Sequence, residues 1–136
     1  MAKVRLTTED QLDWVVSGER ELDDEERGKL RQGELTSRYR IREAGSGENP
    51  QLVELAYEPG AEIQTHCHDE DEIIYVLSGA MVIGARTVGP GACLTIPGRT
   101  FYGFRAGPEG LTILNFRPRA DTTFHLPPAK AMGEHA

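Results

Sequence analysis

After residue 35, hydrophobic and polar residues alternate along most of the chain, with the period of two that is typical of half-buried β-strands. In Ser37 to Glu43, SRYRIRE, Tyr39 and Ile41 share one face and the arginines share the other. Further short strands are predicted at 52–57, 61–68, 73–77, 81–83, 92–96, 100–104 and 111–116, separated by turns that include Ser78-Gly79 and residues 105–110. This pattern predicts an all-β sandwich or barrel.

The two ends of the chain lack this alternation, and we divide the sequence into three parts accordingly. Residues 1–34 are predicted to be a short helical or irregular N-terminal arm, with a helix N-cap at Thr7 or Thr8. Trp14 is expected to pack this arm onto the main body or onto a second subunit. Residues 35–118 form the predicted barrel, and residues 119–136 form a C-terminal tail with partial order. No catalytic residue is predicted in the charged stretch 17–34.

Charge and composition exclude several function classes. The 136-residue chain has a formal net charge of -7, so electrostatic repulsion opposes binding to nucleic acid or to an anionic membrane. The arginines at 38, 40 and 42 are predicted to form a solvated strand edge. The N-terminal segment has no apolar run of signal-peptide length, and two cysteines are too few for a disulfide framework. We therefore expect a cytoplasmic protein without a nucleic-acid or membrane partner.

The candidate chemistry lies in residues 60–79, GAEIQTHCHDEDEIIYVLSG. His66 and His68 are two residues apart, so they project from the same face of a strand. Glu72 opens the next apolar run, and a hairpin between the two strands would bring the three side chains together. Two imidazoles and a carboxylate form the facial triad of non-heme Fe(II) enzymes, and the set also suits Mn, Ni, Cu and Zn. We predict a mononuclear metal site; the alternative is that these are ordinary surface and core residues.

The spacing of these residues resembles the first motif of the cupin family. Five positions carry the resemblance: Gly60, His66, His68, Glu72 and Gly79. The resemblance covers roughly residues 50–116 and implies a small single-domain cupin, which is a jelly-roll β-barrel that holds one metal inside. In that family the two histidines and the glutamate are metal ligands, which implies the same role for His66, His68 and Glu72.

The second cupin motif is present only in part. Gly91 and Pro97 are in place, but Arg99 stands at the position of a glycine, and Ala106 stands at the position of an asparagine. Tyr102 replaces the histidine that is the usual fourth ligand, and no histidine lies between His68 and His125. Gly98 lies one position before the expected glycine, which is consistent with a local shift of the motif.

Three roles for Tyr102 remain open at this point. The side chain binds the metal as a phenolate, which requires a lowered pKa; or it stays a phenol that bonds a metal-bound water or the substrate; or it is a packed aromatic beside a degenerate site. We favour the second role, in which Tyr102 is catalytic, because three protein ligands and an open position are what metal catalysis requires.

These features indicate a metal-dependent enzyme that acts on a small organic molecule. The resemblance makes dioxygenase-type cleavage the first expectation, with an isomerase or lyase, or a non-catalytic ligand- or metal-binding cupin, as alternatives. The pocket is expected to be largely apolar, lined by Ile74, Val76, Leu94 or Ile96. A homodimer is also expected, with outward-facing apolar residues on the strand at 73–77 available for the interface.

Overall fold

The computed structural model describes residues 3–128 and confirms an all-β fold. This part of the chain contains eight strands: β1 (Val15–Val16), β2 (Arg38–Glu43), β3 (Gln51–Tyr57), β4 (Glu62–His66), β5 (Glu72–Ile83), β6 (Arg86–Val88), β7 (Cys93–Ile96) and β8 (Tyr102–Arg117). Its helices are α1 (Asp24–Gly28) and α2 (Gln32–Leu35), with 3₁₀ turns at Glu9–Gln11 and Ser17–Glu19. None of these helices is long and apolar enough to cross a membrane.

The strands form one antiparallel sheet in the order β1-β2-β3-β8-β5-β6, with β4 also paired to β8 and β7 paired to β5. Strand β8 is the longest element, and its C-terminal half lies between β3 and β5, where Ile113 is opposite both Leu55 and Val76. Its N-terminal half pairs with β4. The prediction of two strands separated by a loop at 105–110 is wrong, because this segment stays in the sheet and pairs with β5 at Ala106.

The predicted turn at Ser78-Gly79 is a bulge inside β5. Gly79 has a φ of 76° in the left-handed region, and the register of β5 against β8 shifts on either side of it. A Cβ added at Gly79 would lie 2.1 Å from the carbonyl oxygen of Gly110. Glycine at this position therefore allows β5 and β8 to cross at close range, and the chain does not reverse there.

The hydrophobic core fills the concave side of the sheet. Strand β5 shows the predicted alternation, since Ile74 and Val76 are buried and Ile73, Tyr75 and Leu77 are exposed. The core contains apolar side chains from four strands and from the turn before β4: Ala61, Ile63, Ile74, Val76, Met81, Ile96, Phe104, Ala106, Leu111 and Ile113. The site described below lies at one end of this core.

The N-terminal arm joins the barrel through β1, which pairs with β2, and it packs on the barrel through side chains as well. The ring of Trp14 lies beneath the guanidinium of Arg40, 4.4 Å from ring centroid to Cζ, and α2 packs against β4. The prediction that the β2 arginines form a solvated edge is wrong for Arg40 and Arg42, because both donate hydrogen bonds to the buried carboxylate of Glu54 on β3. These ion pairs join β2 to β3.

The C-terminal segment is also fixed on the barrel. We call residues 121–125 the C-terminal strap. Its His125 forms a two-residue β-bridge with Cys67, and the Thr123 hydroxyl accepts a hydrogen bond from the Asp69 backbone N–H. The strap is therefore better ordered than the tail that was predicted from residue 119, and it lies directly over the histidine-bearing segment. Residues 129–136, which include His135, lie outside the described part of the chain.

Candidate functional site

The structure brings the three predicted metal ligands close together, although by a different strand arrangement. His66 ends β4, which pairs with β8 and not with β5, so the predicted hairpin does not form. The chain nevertheless continues past His66 through the bridge at Cys67 to His68, and the two imidazole centroids are 4.9 Å apart. The Nε2 atom of His68 lies 3.9 Å from Oε1 of Glu72, the first residue of β5. The three side chains therefore come together through the fold of the whole barrel and not through a local hairpin.

Both imidazoles are held in one tautomer by backbone carbonyls. The Nδ1 of His66 lies 2.7 Å from the carbonyl oxygen of Gln64, and the Nδ1 of His68 contacts the carbonyl oxygen of Thr123. Because a carbonyl oxygen only accepts, each Nδ1 carries a proton, so the neutral form of each ring has its lone pair at Nε2. Burial lowers the pKa of His66 to about 4, so this ring is neutral at physiological pH. Phe124 of the strap stacks on it at 4.8 Å.

Glu72 is 2% exposed, and both of its oxygens accept hydrogen bonds. The Tyr102 hydroxyl donates to Oε1 over 2.8 Å, while Asn115 Nδ2 and an Arg117 amino group donate to Oε2 over 2.7 and 3.0 Å. Burial alone would raise the pKa of this carboxyl. The Arg117 guanidinium, His68 and the two neutral donors outweigh that effect and hold the pKa below its usual value, so Glu72 is ionised.

Tyr102, the predicted catalytic residue, lies opposite His66 in the β4–β8 register, with the ring centroids 4.7 Å apart. Burial raises the pKa of its hydroxyl, and the charge of Glu72 and the hydrogen bond to it raise that pKa further. These effects favour the protonated phenol over a phenolate ligand. The hydroxyl is in position to orient the carboxylate, and its catalytic role stays a prediction.

The donor set suits a divalent transition metal in its chemistry, with two imidazole lone pairs and one carboxylate oxygen that has a single hydrogen-bond donor. The 3.9 Å between His68 Nε2 and Glu72 Oε1 is longer than the roughly 3.4 Å that separates two ligands on a tetrahedral ion at about 2.1 Å. Within residues 3–128, no three His, Cys, Asp or Glu side chains already have coordination spacing. The metal site therefore stays a prediction.

Sequence reasoning missed Arg117 and left the facing of Asn115 undetermined. Both lie on β8 at alternate positions, on the face that Ile113 directs into the core, so strand alternation alone identifies them once β8 is known to extend to residue 117. Two of their buried atoms, Asn115 Oδ1 and Arg117 Nε, have no hydrogen-bond partner among the described residues. The arginine balances the charge of Glu72.

A cavity of about 160 Å³ opens beside these residues. Of the four apolar residues predicted to line it, Ile74 does so, whereas Val76 and Ile96 pack in the core and Leu94 packs against it. The cavity is lined by apolar and polar residues of the barrel, the arm and the strap: Ser17, Arg20, Leu30, Glu34, Ser37, Tyr57, Ile63, His66, His68, Ile74, Tyr102, Phe104, Ile113, Asn115, Arg117 and Phe124. A wider groove of about 480 Å³ between arm and strap shares five of these residues, which makes it the mouth of the cavity.

Residues 53–115 match the family described as the cupin domain. No curated protein matches the chain. Among solved structures, the chain is similar to KdgF from Halomonas sp., with 24% identity over 86% of this chain and 96% of that one and a TM-score of 0.62. It is also similar to a cupin-2 domain protein, Rru_A2000 from Rhodospirillum rubrum, with 16% identity over 98% and 86% of the chains and a TM-score of 0.64.

A third similar structure is the polyketide cyclase RemF from Streptomyces resistomycificus, with 24% identity over 65% of this chain and 69% of that one and a TM-score of 0.56. These likenesses show that the antiparallel sheet is a jelly-roll of the cupin type. They concern the fold, so the chemistry has to be argued from the site itself.

Proposed function

Because the chain belongs to the cupin family, with residues 53–115 as its cupin domain, we propose that it is a metal-dependent enzyme that acts on a small organic molecule. The observation that carries this proposal is the fixed tautomer of both histidines. Each donates its Nδ1 proton to a backbone carbonyl, which is the arrangement that supports an imidazole binding a metal through Nε2. A pair of histidines that only filled space would not need this shared orientation.

His66 and His68 would hold the metal through Nε2, and Glu72 would hold it through Oε1. Fe, Mn, Ni, Cu and Zn all accept two imidazoles and a carboxylate. When bound, the ion supplies Lewis-acid polarisation of a substrate oxygen. Arg117 keeps its positive charge beside this centre, 3.0 Å from Glu72 Oε2, so the site suits a substrate oxygen that is anionic or that becomes anionic during the reaction.

The chain's own residues favour proton transfer as the reaction class. Tyr102 is a protonated phenol beside the carboxylate of Glu72 and lies outside the proposed ligand set, so its hydroxyl would donate a hydrogen bond or a proton to a substrate oxygen at this centre. We therefore place an isomerase, lyase or cyclase reaction first. The name of the similar polyketide cyclase is consistent with this choice. Dioxygenase-type cleavage is the second candidate, because the two histidines and the glutamate also form the donor set of Fe(II) oxygenases.

The first experiment is metal analysis of protein purified without a histidine tag, by mass spectrometry. We expect about one equivalent of metal per chain in the wild type and its loss in His66→Ala. His125→Ala is the matched control, because His125 bonds Asp69 and lies outside the proposed ligand set. Little metal in the wild type, or equal metal in both variants, would contradict the proposal.

Activity then separates the reaction classes. In the first assay, metal-loaded protein is incubated with hydroxyacetone in heavy water, and NMR follows the incorporation of deuterium into the substrate. In the second assay, metal-loaded protein is incubated with 2,4-pentanedione, and the uptake of oxygen is measured. Deuterium incorporation without oxygen uptake supports proton transfer, and oxygen uptake supports the oxygenase. Metal retention with neither activity supports the non-catalytic binding cupin.

A further inference from the structure

A carboxylate from the N-terminal arm also faces the cavity. Glu34 lies in α2, is 8% exposed, and lines the same space as His66 and Tyr102. Helix α2 is firmly seated on the start of β4, since a Cβ added at Gly33 would lie within 3.0 Å of Ala61 and Glu62. The position of Glu34 is therefore fixed by the fold and is not an accident of a loose surface segment.

The hydrogen bonds of normal geometry that the Glu34 carboxylate receives all go to one oxygen. Oε1 accepts from the Arg31 backbone N–H over 2.9 Å and from Gln64 Nε2 over 2.6 Å. Among residues 3–128 no hydrogen bond of normal geometry reaches Oε2, although the Gln64 backbone N–H lies close enough to the carboxylate to lower its pKa. Oε2 is not among the fully enclosed atoms without a partner, which are Asn115 Oδ1 and Arg117 Nε. Oε2 thus borders open space, and the open space beside Glu34 is the cavity.

The surroundings of Glu34 are polar. Ser37 donates to the Glu34 carbonyl oxygen over 2.7 Å, and the hydroxyls of Ser17 and Ser37 lie 2.9 Å apart. Both serines and Arg20 line the cavity with Glu34. The arm therefore gives the cavity a polar wall, in addition to the histidine and tyrosine side chains of the barrel.

A structural role explains the hydrogen bonds to Oε1, but it does not explain why this residue is a glutamate and not a glutamine. The hydrogen bonds to Oε1 cap the first turn of α2 and fix Gln64, and a glutamine would accept both equally well. Burial raises the pKa of Glu34, which shows that the charged form is disfavoured at this position. A buried carboxylate that leaves one oxygen without a normal hydrogen bond beside a cavity is typical of a binding site.

We propose that Glu34 Oε2 is a ligand-binding atom that accepts a hydrogen bond from a hydroxyl group of a small organic ligand, so that the cavity selects hydroxylated molecules over their apolar analogues. The inference shares its cavity with the proposed function and defines the substrate class further, but the binding itself needs no metal. Through Glu34, the N-terminal arm is part of this ligand-binding site.

The size of the cavity indicates a suitable probe. At about 160 Å³ it is close to the roughly 150 Å³ of an engineered apolar cavity that binds benzene. Tyr57 and Phe104 give it aromatic walls, with ring centroids 5.7 Å apart. Phenol and toluene have nearly the same shape and differ by a hydroxyl in place of a methyl group, so the pair isolates the hydrogen bond.

The experiment measures the dissociation constants of phenol and toluene by ligand-observed NMR, with the full-length protein in metal-loaded and metal-depleted forms. Glu34→Gln keeps an acceptor for Arg31 and Gln64 and places an amide N–H₂ where Oε2 was. We expect the wild type to prefer phenol about tenfold, which corresponds to roughly 1.4 kcal/mol, and Glu34→Gln to lose that preference with toluene unchanged. Glu62→Gln is the control, since Glu62 pairs with Arg31 on the surface.

A second variant covers the case in which Glu34→Gln unfolds. Glu34→Leu should favour toluene over phenol if the side chain faces the ligand. Failure of phenol to bind the wild type, or an equal change for both probes in the variants, would overturn the proposal. Metal analysis separates the two proposals. Glu34→Gln that keeps its metal but loses its preference for phenol supports the role of Glu34. Wild-type protein that lacks metal but still prefers phenol contradicts only the metal-dependent function.

Discussion

At the residue scale, the site depends on hydrogen bonds that fix charge and orientation. His66 and His68 are oriented by backbone carbonyls, and Glu72 is ionised because Arg117 and two neutral donors stabilise the buried charge. The sequence alone singled out the histidines and the glutamate as candidate ligands, because they lie within seven consecutive residues, although the whole barrel is needed to bring them together. The sequence did not identify Arg117, since that residue reaches Glu72 only through the pairing of β8 with β5.

Tyr102→Phe should destabilise the metal-free protein by about 1–2 kcal/mol, because a buried carboxylate oxygen loses a hydrogen bond while the aromatic packing is kept. Urea unfolding monitored by circular dichroism measures this difference. An unchanged midpoint would show that the hydroxyl does not bond Glu72 in solution. Unchanged turnover in the variant would remove the Tyr102 hydroxyl from catalysis.

At the element scale, side-chain ion pairs strengthen the backbone pairing of neighbouring strands. Glu54 on β3 accepts from Arg40 and Arg42 on β2. Burial alone would raise the pKa of Glu54, but the two arginines outweigh burial and lower it. The ionised carboxylate therefore stabilises the fold above the pKa of the unfolded chain, and this contribution is lost as the pH falls through the lower folded-state pKa.

Glu54→Gln should therefore lower the free energy of unfolding by about 1–3 kcal/mol at pH 7. The difference from the wild type should shrink as the pH falls below about 4.5, because the wild-type carboxyl then loses its charge. Thermal unfolding at a series of pH values tests this expectation, with the exposed Glu48→Gln as a control that should change little. A difference that does not vary with pH would mean that the ion pairs contribute nothing.

The bulge in β5 gives a second prediction at this scale. Gly79→Ala should destabilise the protein by more than about 3 kcal/mol, because the new Cβ meets the Gly110 carbonyl oxygen in addition to the strain of a positive φ. Gly84→Ala is the matched control: its φ is 57° and nothing lies within 4 Å, so only about 1 kcal/mol is expected. Equal effects of the two substitutions in denaturant unfolding would contradict the close crossing.

At the scale of the whole molecule, alternation along the chain predicted the fold class and the facing of β5, but not the connections. Gly79 and the segment 105–110 have the composition of turns, yet β8 is continuous and the glycine allows two strands to cross. The cavity residues were the hardest to predict. Glu34, Arg117 and Phe124 come from three distant parts of the chain, and only tertiary packing brings them together.

We propose that the outer face of the sheet is the interface of the expected homodimer. Ile73, Tyr75, Leu77 and Phe116 are 38–43% exposed, and Ile73 lies opposite Phe116, so the apolar surface is continuous across two strands. We expect light scattering at micromolar concentration to give twice the chain mass of 15.0 kDa for the wild type. Tyr75→Lys should give the mass of a single chain. The melting temperature of the variant is measured in parallel to check that it is folded. A wild-type particle of one chain mass would contradict this expectation.

The position of the strap at the end of the described chain has a consequence for biosynthesis. A ribosome releases the arm first, then the strands, and only afterwards Thr123 and Phe124, which fix His68 and cover His66. Strand β8 pairs with β3, β4 and β5 and ends at Arg117, shortly before the strap begins at Asp121. The barrel therefore cannot close before the strap has been synthesised, and the carbonyl that orients His68 becomes available together with the last strand of the fold.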